Sequence, residues 1–155
     1  MKAPGRHFDV SVRQHLRPPP LRGQRIRALV RRALSRLAAA EADVRVLVVG
    51  DDDMERWNRE FLKRAGTTNV IAFPDDAPGE ARPDRIAGDI LVSAPTCLAQ
   101  TRGWPETPDE RVFYFILHGM LHLAGYDHEA GAAGARRMRR RETDIYRSVL
   151  GSGRP

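Results

Sequence analysis

The sequence predicts an α+β fold, an α/β sandwich in which a four-stranded mixed sheet packs with about five helices. Three observations predict it. Short runs rich in apolar and β-branched residues recur at 8–13, 44–49, 68–73 and 86–93, as strands do. The intervals between them carry apolar residues at helical spacing. Proline or glycine stands at most of the junctions, and strands interleaved with helices give a layered α and β architecture.

Phe8 to Arg13 alternates apolar and polar residues, the pattern of a half-buried strand, and Pro18-Pro19-Pro20 then imposes an extended break. Residues 22 to 40 place Ile26, Leu29, Val30, Ala33, Leu34 and Leu37 on one helical face, with Arg22, Arg25, Arg27, Arg31, Arg32 and Arg36 on much of the remainder. Such a face reads as solvated opposite a core stripe, with a dedicated RNA-binding face as the alternative. Val44 to Val49 reads as a buried strand ending at Gly50. Asp51-Asp52-Asp53 then supplies an N-cap and favourable charge for a helix through about Arg64, rather than a metal site, since adjacent side chains point in different directions.

Thr68 to Phe73 makes a third strand stopped by Pro74, and residues 75 to 85 form a polar loop with proline and glycine. Ile86 to Ser93 is the fourth strand, and Ala94-Pro95 opens a short helix. Thr107-Pro108-Asp109-Glu110 opens another with a capping hydroxyl, proline and acids. A last helix runs from about Ala130 to Leu150, its first turns weakened by Gly131 and Gly134.

At 155 residues and 41% hydrophobic content the chain predicts one domain over 1–155, with a disordered tail at about 151–155. It has no apolar run long enough to span a membrane, and its basic start lacks the apolar segment of a signal peptide. A cytoplasmic location is therefore expected. The lone Cys97 rules out an internal disulfide framework and reads as a small buried side chain. A net charge of +6 favours a polyanionic partner, although 24 of the 26 basic residues are arginine, a bias that also tracks genome composition.

Three of the five histidines fall in His118-Gly119-Met120-Leu121-His122-Leu123-Ala124-Gly125-Tyr126-Asp127-His128. The preceding run from Glu110 to Leu117 should lead helically into His118, so that His118 and His122 share a face one turn apart. Continuing the helix would carry His128 away from them; Gly125 supplies the left-handed residue that ends a helix and lets the chain turn back. Three neutral imidazoles leave one position of a tetrahedral zinc open, as in catalytic sites. The expectation is one Zn2+ per chain on His118, His122 and His128, a site that would also take nickel or copper, with Asp127 placed to orient a ligand. The spacing matches a zinc-protease pattern, but Gly119 stands where that pattern has its general-base Glu, which argues against peptide hydrolysis.

With glycine in that position the run resembles the H-G-x-L-H-L-x-G-Y-D-H signature of the YbeY family of ribosomal-RNA maturation endoribonucleases. Thr68-Asn69-Val70-Ile71-Ala72-Phe73-Pro74 is similar to that family's T-[DN]-V-L-S-F-P, with Ala72 for the usual Ser. Gly88-Asp89-Ile90-Leu91-Val92-Ser93 is similar to its G-D-I-x-I-S, and Trp57-Asn58 to its L-N. The likeness covers roughly residues 43 to 150. It implies the same mixed-sheet fold and a metal-dependent endoribonuclease selective for single-stranded RNA. It also implies a role in maturation and quality control of small-subunit rRNA, with rRNA, the small ribosomal subunit and a ribosomal protein as candidate partners, and the three histidines as zinc ligands.

Where the family usually has an arginine, six residues before the matching Thr68, this chain has Leu62, followed by Lys63 and Arg64. Arg59 and Arg64 are the candidate phosphate contacts, Arg being long and forked for phosphate. The general base is unassigned. Leu62 also motivates a different class of function, a non-catalytic zinc-stabilised ribosome-assembly factor. The open zinc position alone would equally suit a hydrolase of small molecules.

Overall fold

The computed structural model describes residues 5–151 apart from 78, 81, 83 and 127–130. Among these the elements run β1 (His7–Gln14), α1 (Gly23–Arg36), β2 (Glu41–Val49), α2 (Asp51–Leu62), β3 (Val70–Pro74), β4 (Arg85–Ser93), α3 (Ala94–Gln100), α4 (Pro108–Leu123) and α5 (Ala132–Leu150). The strands form one mixed sheet in the order β1-β2-β4-β3. β1, β2 and β4 are parallel, whereas β3 is an antiparallel edge strand with Val70 opposite Val92 and Pro74 opposite Gly88. The four-stranded mixed sheet and five helices are those the sequence predicts.

Side chains alternate across the sheet with period two, and the alternation sorts the helices. Val44, Val46, Val48, Ile86, Ile90 and Val92 face the main core, which they share with the buried stripes of α1, α4 and α5. Leu47, Val49, Ile71, Phe73 and Leu91 face the other side, where Met54 and Trp57 of α2 pack on them. The rest of that second face is polar: Arg45 bridges Asp43 at 2.9 Å, Asp75 at 2.6 Å and Asp89 at 2.9 Å. α4 is the innermost helix, with Val112, Phe113, Ile116, Leu117, Met120 and Leu121 fully buried. Each such side chain contributes about 1.5–3 kcal/mol of transfer free energy, so the helix that carries two of the histidines is anchored along its length.

Local chemistry sets the ends of α4 as expected. Thr107 and Glu110 form a reciprocal capping box, each side chain bonded to the other's backbone N–H, with Pro108 in the first turn. At the far end Gly125 adopts φ +95, and the N–H groups of Gly125 and Tyr126 donate to His122 and Leu121 at 3.0 Å each. This paired closure stops the helix at Leu123, with Ala124 as its cap. Asp109, 5% exposed, accepts from the Arg22 backbone at 2.9 Å and the Arg22 guanidinium at 2.8 Å, which ties the start of α4 to the start of α1.

Several boundaries differ from the sequence expectation for identifiable reasons. α1 ends at Arg36 rather than near residue 40, because Ala38 turns left-handed at φ 59 while Ala38 and Ala39 donate back to Ser35 and Leu34. β2 consequently starts at Glu41, three residues earlier than alternation alone suggests, because its first residue already pairs with His7 of β1. β3 begins at Val70 and includes Pro74, which an edge strand tolerates because one side of its backbone needs no partner. α2 is capped by Gly50, not by an acidic side chain. Asp51 instead accepts hydrogen bonds from Ser93 at 2.6 Å and Thr96 at 2.5 Å, which hold its carboxyl below the usual range. α2 also stops at Leu62, because Lys63 turns left-handed at φ 56. Cys97 is fully buried, and that burial pushes its thiol up, away from any nucleophilic role.

Candidate active site

α4 brings His118 and His122 together as the one-turn spacing predicts. Their Nε2 atoms lie 3.2 Å apart. Two imidazoles on one tetrahedral ion, each about 2.0–2.1 Å from it, would have their nitrogens about 3.3 Å apart, so the spacing of this pair suits a shared metal. Among the described residues no group of three ligating side chains converges. His128 and Asp127, the expected third ligand and its neighbour, lie outside the described residues.

The partner that orients His118 comes from α5. Glu142, 4% exposed, lies 2.8 Å from His118 Nδ1. A carboxylate only accepts, so Nδ1 carries the proton and donates to Glu142, and the Nε2 lone pair is turned towards His122. Tyr114, one turn before His118 on the same face, lines the same cavity as Glu142. Burial, and then the neighbouring Glu142 carboxylate, push its phenol well above the ordinary value, so Tyr114 stays protonated. Sequence reasoning looked for this orienting group at Asp127 and passed over Glu142. The available signal was an acid in the apolar stripe Met138, Ile145, Tyr146 and Val149 of α5, because a carboxylate placed inside must have partners.

The two histidines open onto a cleft of about 530 Å³ lined by Leu62, Arg64, Thr68, Asn69, Val70, Ile71, Ala72, Pro74 and Gly119. α4 covers one face of the sheet and α2 the other, so a cleft lined by residues from α4, from the end of α2 and from β3 wraps round the edge strand. Gly119 is packed closely there: a Cβ would meet Ile90 Cγ2 at 3.1 Å and Val70 Cγ2 at 3.4 Å. A second cavity of about 400 Å³ adjoins the first through Asn69 and His118, with Tyr114, Phe115, Met138 and Arg139 as further walls.

Of the two candidate phosphate contacts, Arg64 lines the cleft. Arg59 is exposed on α2 and does not line it. Leu62, at the place of the family's arginine, is 39% exposed and also lines it. The segment carrying Arg64 is held by Asn58, 4% exposed, whose amide donates to the Gly66 carbonyl at 3.0 Å and whose own carbonyl accepts from Arg64 N–H at 3.2 Å. Asn58 thus joins Glu142 as a positioning residue that the sequence did not single out for that role.

A family model described as Endoribonuclease YbeY matches residues 15–150. A relative of that description from Chloroflexus aurantiacus is 39% identical over 133 residues, covering 79% of this chain and 86% of the relative. Another, from Geobacter metallireducens, is 36% identical over 142 residues, covering 90% and 94%. The solution structure of TM1509 from Thermotoga maritima shares the fold, with a TM-score of 0.63 at 21% identity over 92% of this chain and 89% of that one. By the length matched and the identity of its relatives, this chain belongs to the YbeY family.

Proposed function

We propose that this chain is a metal-dependent endoribonuclease that cuts single-stranded RNA in the maturation and quality control of small-subunit rRNA, working as a single domain in the cytoplasm. The observation that carries the reading is the pair His118 and His122, its Nε2 atoms 3.2 Å apart in a cleft that also receives Arg64. His118, His122 and His128 would hold the metal, with zinc favoured by an all-imidazole set. When bound, the ion would polarise a phosphoryl oxygen and acidify water.

The protein's own groups then have separable tasks. Glu142 fixes the tautomer and direction of His118. Arg64 offers a planar guanidinium to a phosphate, stabilising the charge that builds as the bond breaks. Asn58 keeps Arg64 at the cleft, and Asp127 is a further candidate to orient a histidine.

The test is cleavage of a labelled single-stranded rRNA fragment by metal-loaded wild type and His118→Ala, with metal content measured in both. The reading requires that cleavage and metal disappear together. A 2′,3′-cyclic phosphate on the product would identify the RNA 2′-hydroxyl as the attacking group. Leu62 supports a second reading, a zinc-stabilised ribosome-assembly factor that binds RNA or a ribosomal protein without cutting. It requires that metal-filled wild type leave RNA intact and that Leu62→Arg change little.

A further inference from the structure

A second concentration of cationic side chains lies away from the histidines, where α1 and α5 end side by side. Arg6, Arg32, Ser35, Arg36, Ser148 and Val149 line a concavity of about 410 Å³. Ser148 is six residues past Glu142 on α5, about 9 Å further along the axis at 1.5 Å per residue. The helix that orients His118 thus also leads to this cluster.

Capping accounts for only part of the cluster. Arg6 donates to the Ser35 carbonyl at 3.4 Å, Arg32 to the Val149 carbonyl at 3.5 Å, and nearby Arg141 to the Arg36 carbonyl at 2.8 Å. These bonds complement the C-terminal ends of α1 and α5, each equivalent to roughly half a negative charge. Two such ends offset about one unit, whereas three guanidiniums line the concavity. Among the described residues none of Arg6, Arg32 and Arg36 forms an ion pair with a carboxylate. No acidic side chain is among the described lining residues. A guanidinium has five N–H donors, and among the described residues Arg6 and Arg32 have one protein acceptor each. The remainder is an exposed set of forked donors with two serines beside it, which suits the non-bridging oxygens of a phosphodiester.

We propose that this cluster binds a backbone phosphate of the RNA strand outside the histidine cleft, adding affinity without touching the bond that is cut. It rests on the ribonuclease reading for the identity of the strand. The phosphate neutralised there adds to the salt dependence of binding and carries no sequence preference.

The experiment titrates a labelled single-stranded RNA into metal-loaded full-length protein across a potassium chloride series and measures kcat and KM for its cleavage. The variants are R32Q/R36Q, the charge-retaining R32K/R36K, and R25Q/R102Q, which removes the same charge elsewhere. R32Q/R36Q is expected to bind about tenfold more weakly at low salt, with a slope of log K against log salt shallower by about 0.7 for one phosphate. Its KM should rise while kcat stays within about twofold, and R32K/R36K should keep the wild-type slope, which separates lost charge from lost folding. R32Q/R36Q binding as tightly as R25Q/R102Q would overturn the proposal, as would a fall in kcat at unchanged KM. The two readings fail separately. RNA bound with the predicted dependence but never cut removes the nuclease assignment alone, and RNA cut by R32Q/R36Q at wild-type KM removes this site alone.

Discussion

Replacing Gly88 with alanine tests whether the close packing of β4 is what allows the histidine helix to lie where it does. A Cβ at that position would stand 2.3 Å from the carbonyl oxygen of Phe73 and 2.7 Å from Leu123 Cδ2, on a backbone with φ +155. Leu123 can turn aside; the Phe73 carbonyl cannot, because it belongs to the strand paired with β4. An unstrained carbon-to-oxygen contact is about 3.3 Å, so β3 must retreat by about 1 Å. A retreat of that size breaks the neighbouring ladder bonds, two at about 1 kcal/mol each, and leaves an overpacking cost of about 1–3 kcal/mol.

The expected loss is therefore about 3–5 kcal/mol, a large share of the 5–15 kcal/mol typical of a folded domain. Urea unfolding followed by circular dichroism measures it, with Gly103→Ala alongside. Gly103 has φ +89 and nothing within 4 Å of a built Cβ, so it registers backbone strain of about 1–2 kcal/mol and no clash. A loss at Gly88 no larger than the loss at Gly103 would refute the steric argument.

Glu142→Gln should weaken metal binding about 10- to 100-fold while leaving the urea midpoint of chelated protein nearly unchanged; calorimetric titration with zinc checks it, and unaltered affinity would remove Glu142 from its orienting role. Asp51→Asn should cost about 1 kcal/mol near pH 7, discounted because the carboxylate is exposed. The folded carboxyl is held low by Ser93 and then Thr96, so its contribution is full above an unfolded pKa of about 4 and vanishes as pH falls through the lower folded value; wild type and variant must converge in acid denaturation. Ala38→Gly should raise stability by about 0.5–1 kcal/mol, because alanine sits left-handed there at φ 59; a lower urea midpoint would contradict this.

The parts of the fold that were legible in the sequence are those where one local rule acts alone. The capping box at Thr107, the spacing of His118 and His122 and the turn at Gly125 are each written in consecutive residues. Where two segments cooperate, the sequence is mute about the partner. Nothing local marks Ala38 as a helix stop, since alanine favours helix and turns left-handed only when the following strand demands it. Asp51 reads as a cap until Ser93 and Thr96, more than forty residues on, are brought to it. Glu142 was hidden for the same reason, as a carboxylate whose donor, His118, reaches it only once α5 packs against α4.

The placement of β3 has a further consequence for inhibition. It is five residues long, pairs with β4 on one side, and among the described residues has no strand on the other. An open edge is a template for another chain, and here shortness and the terminal Pro74 blunt that hazard. Because the cleft wraps the same edge, an extended peptide laid along Val70 to Pro74 would close the entrance by main-chain pairing, with no need to bind a metal.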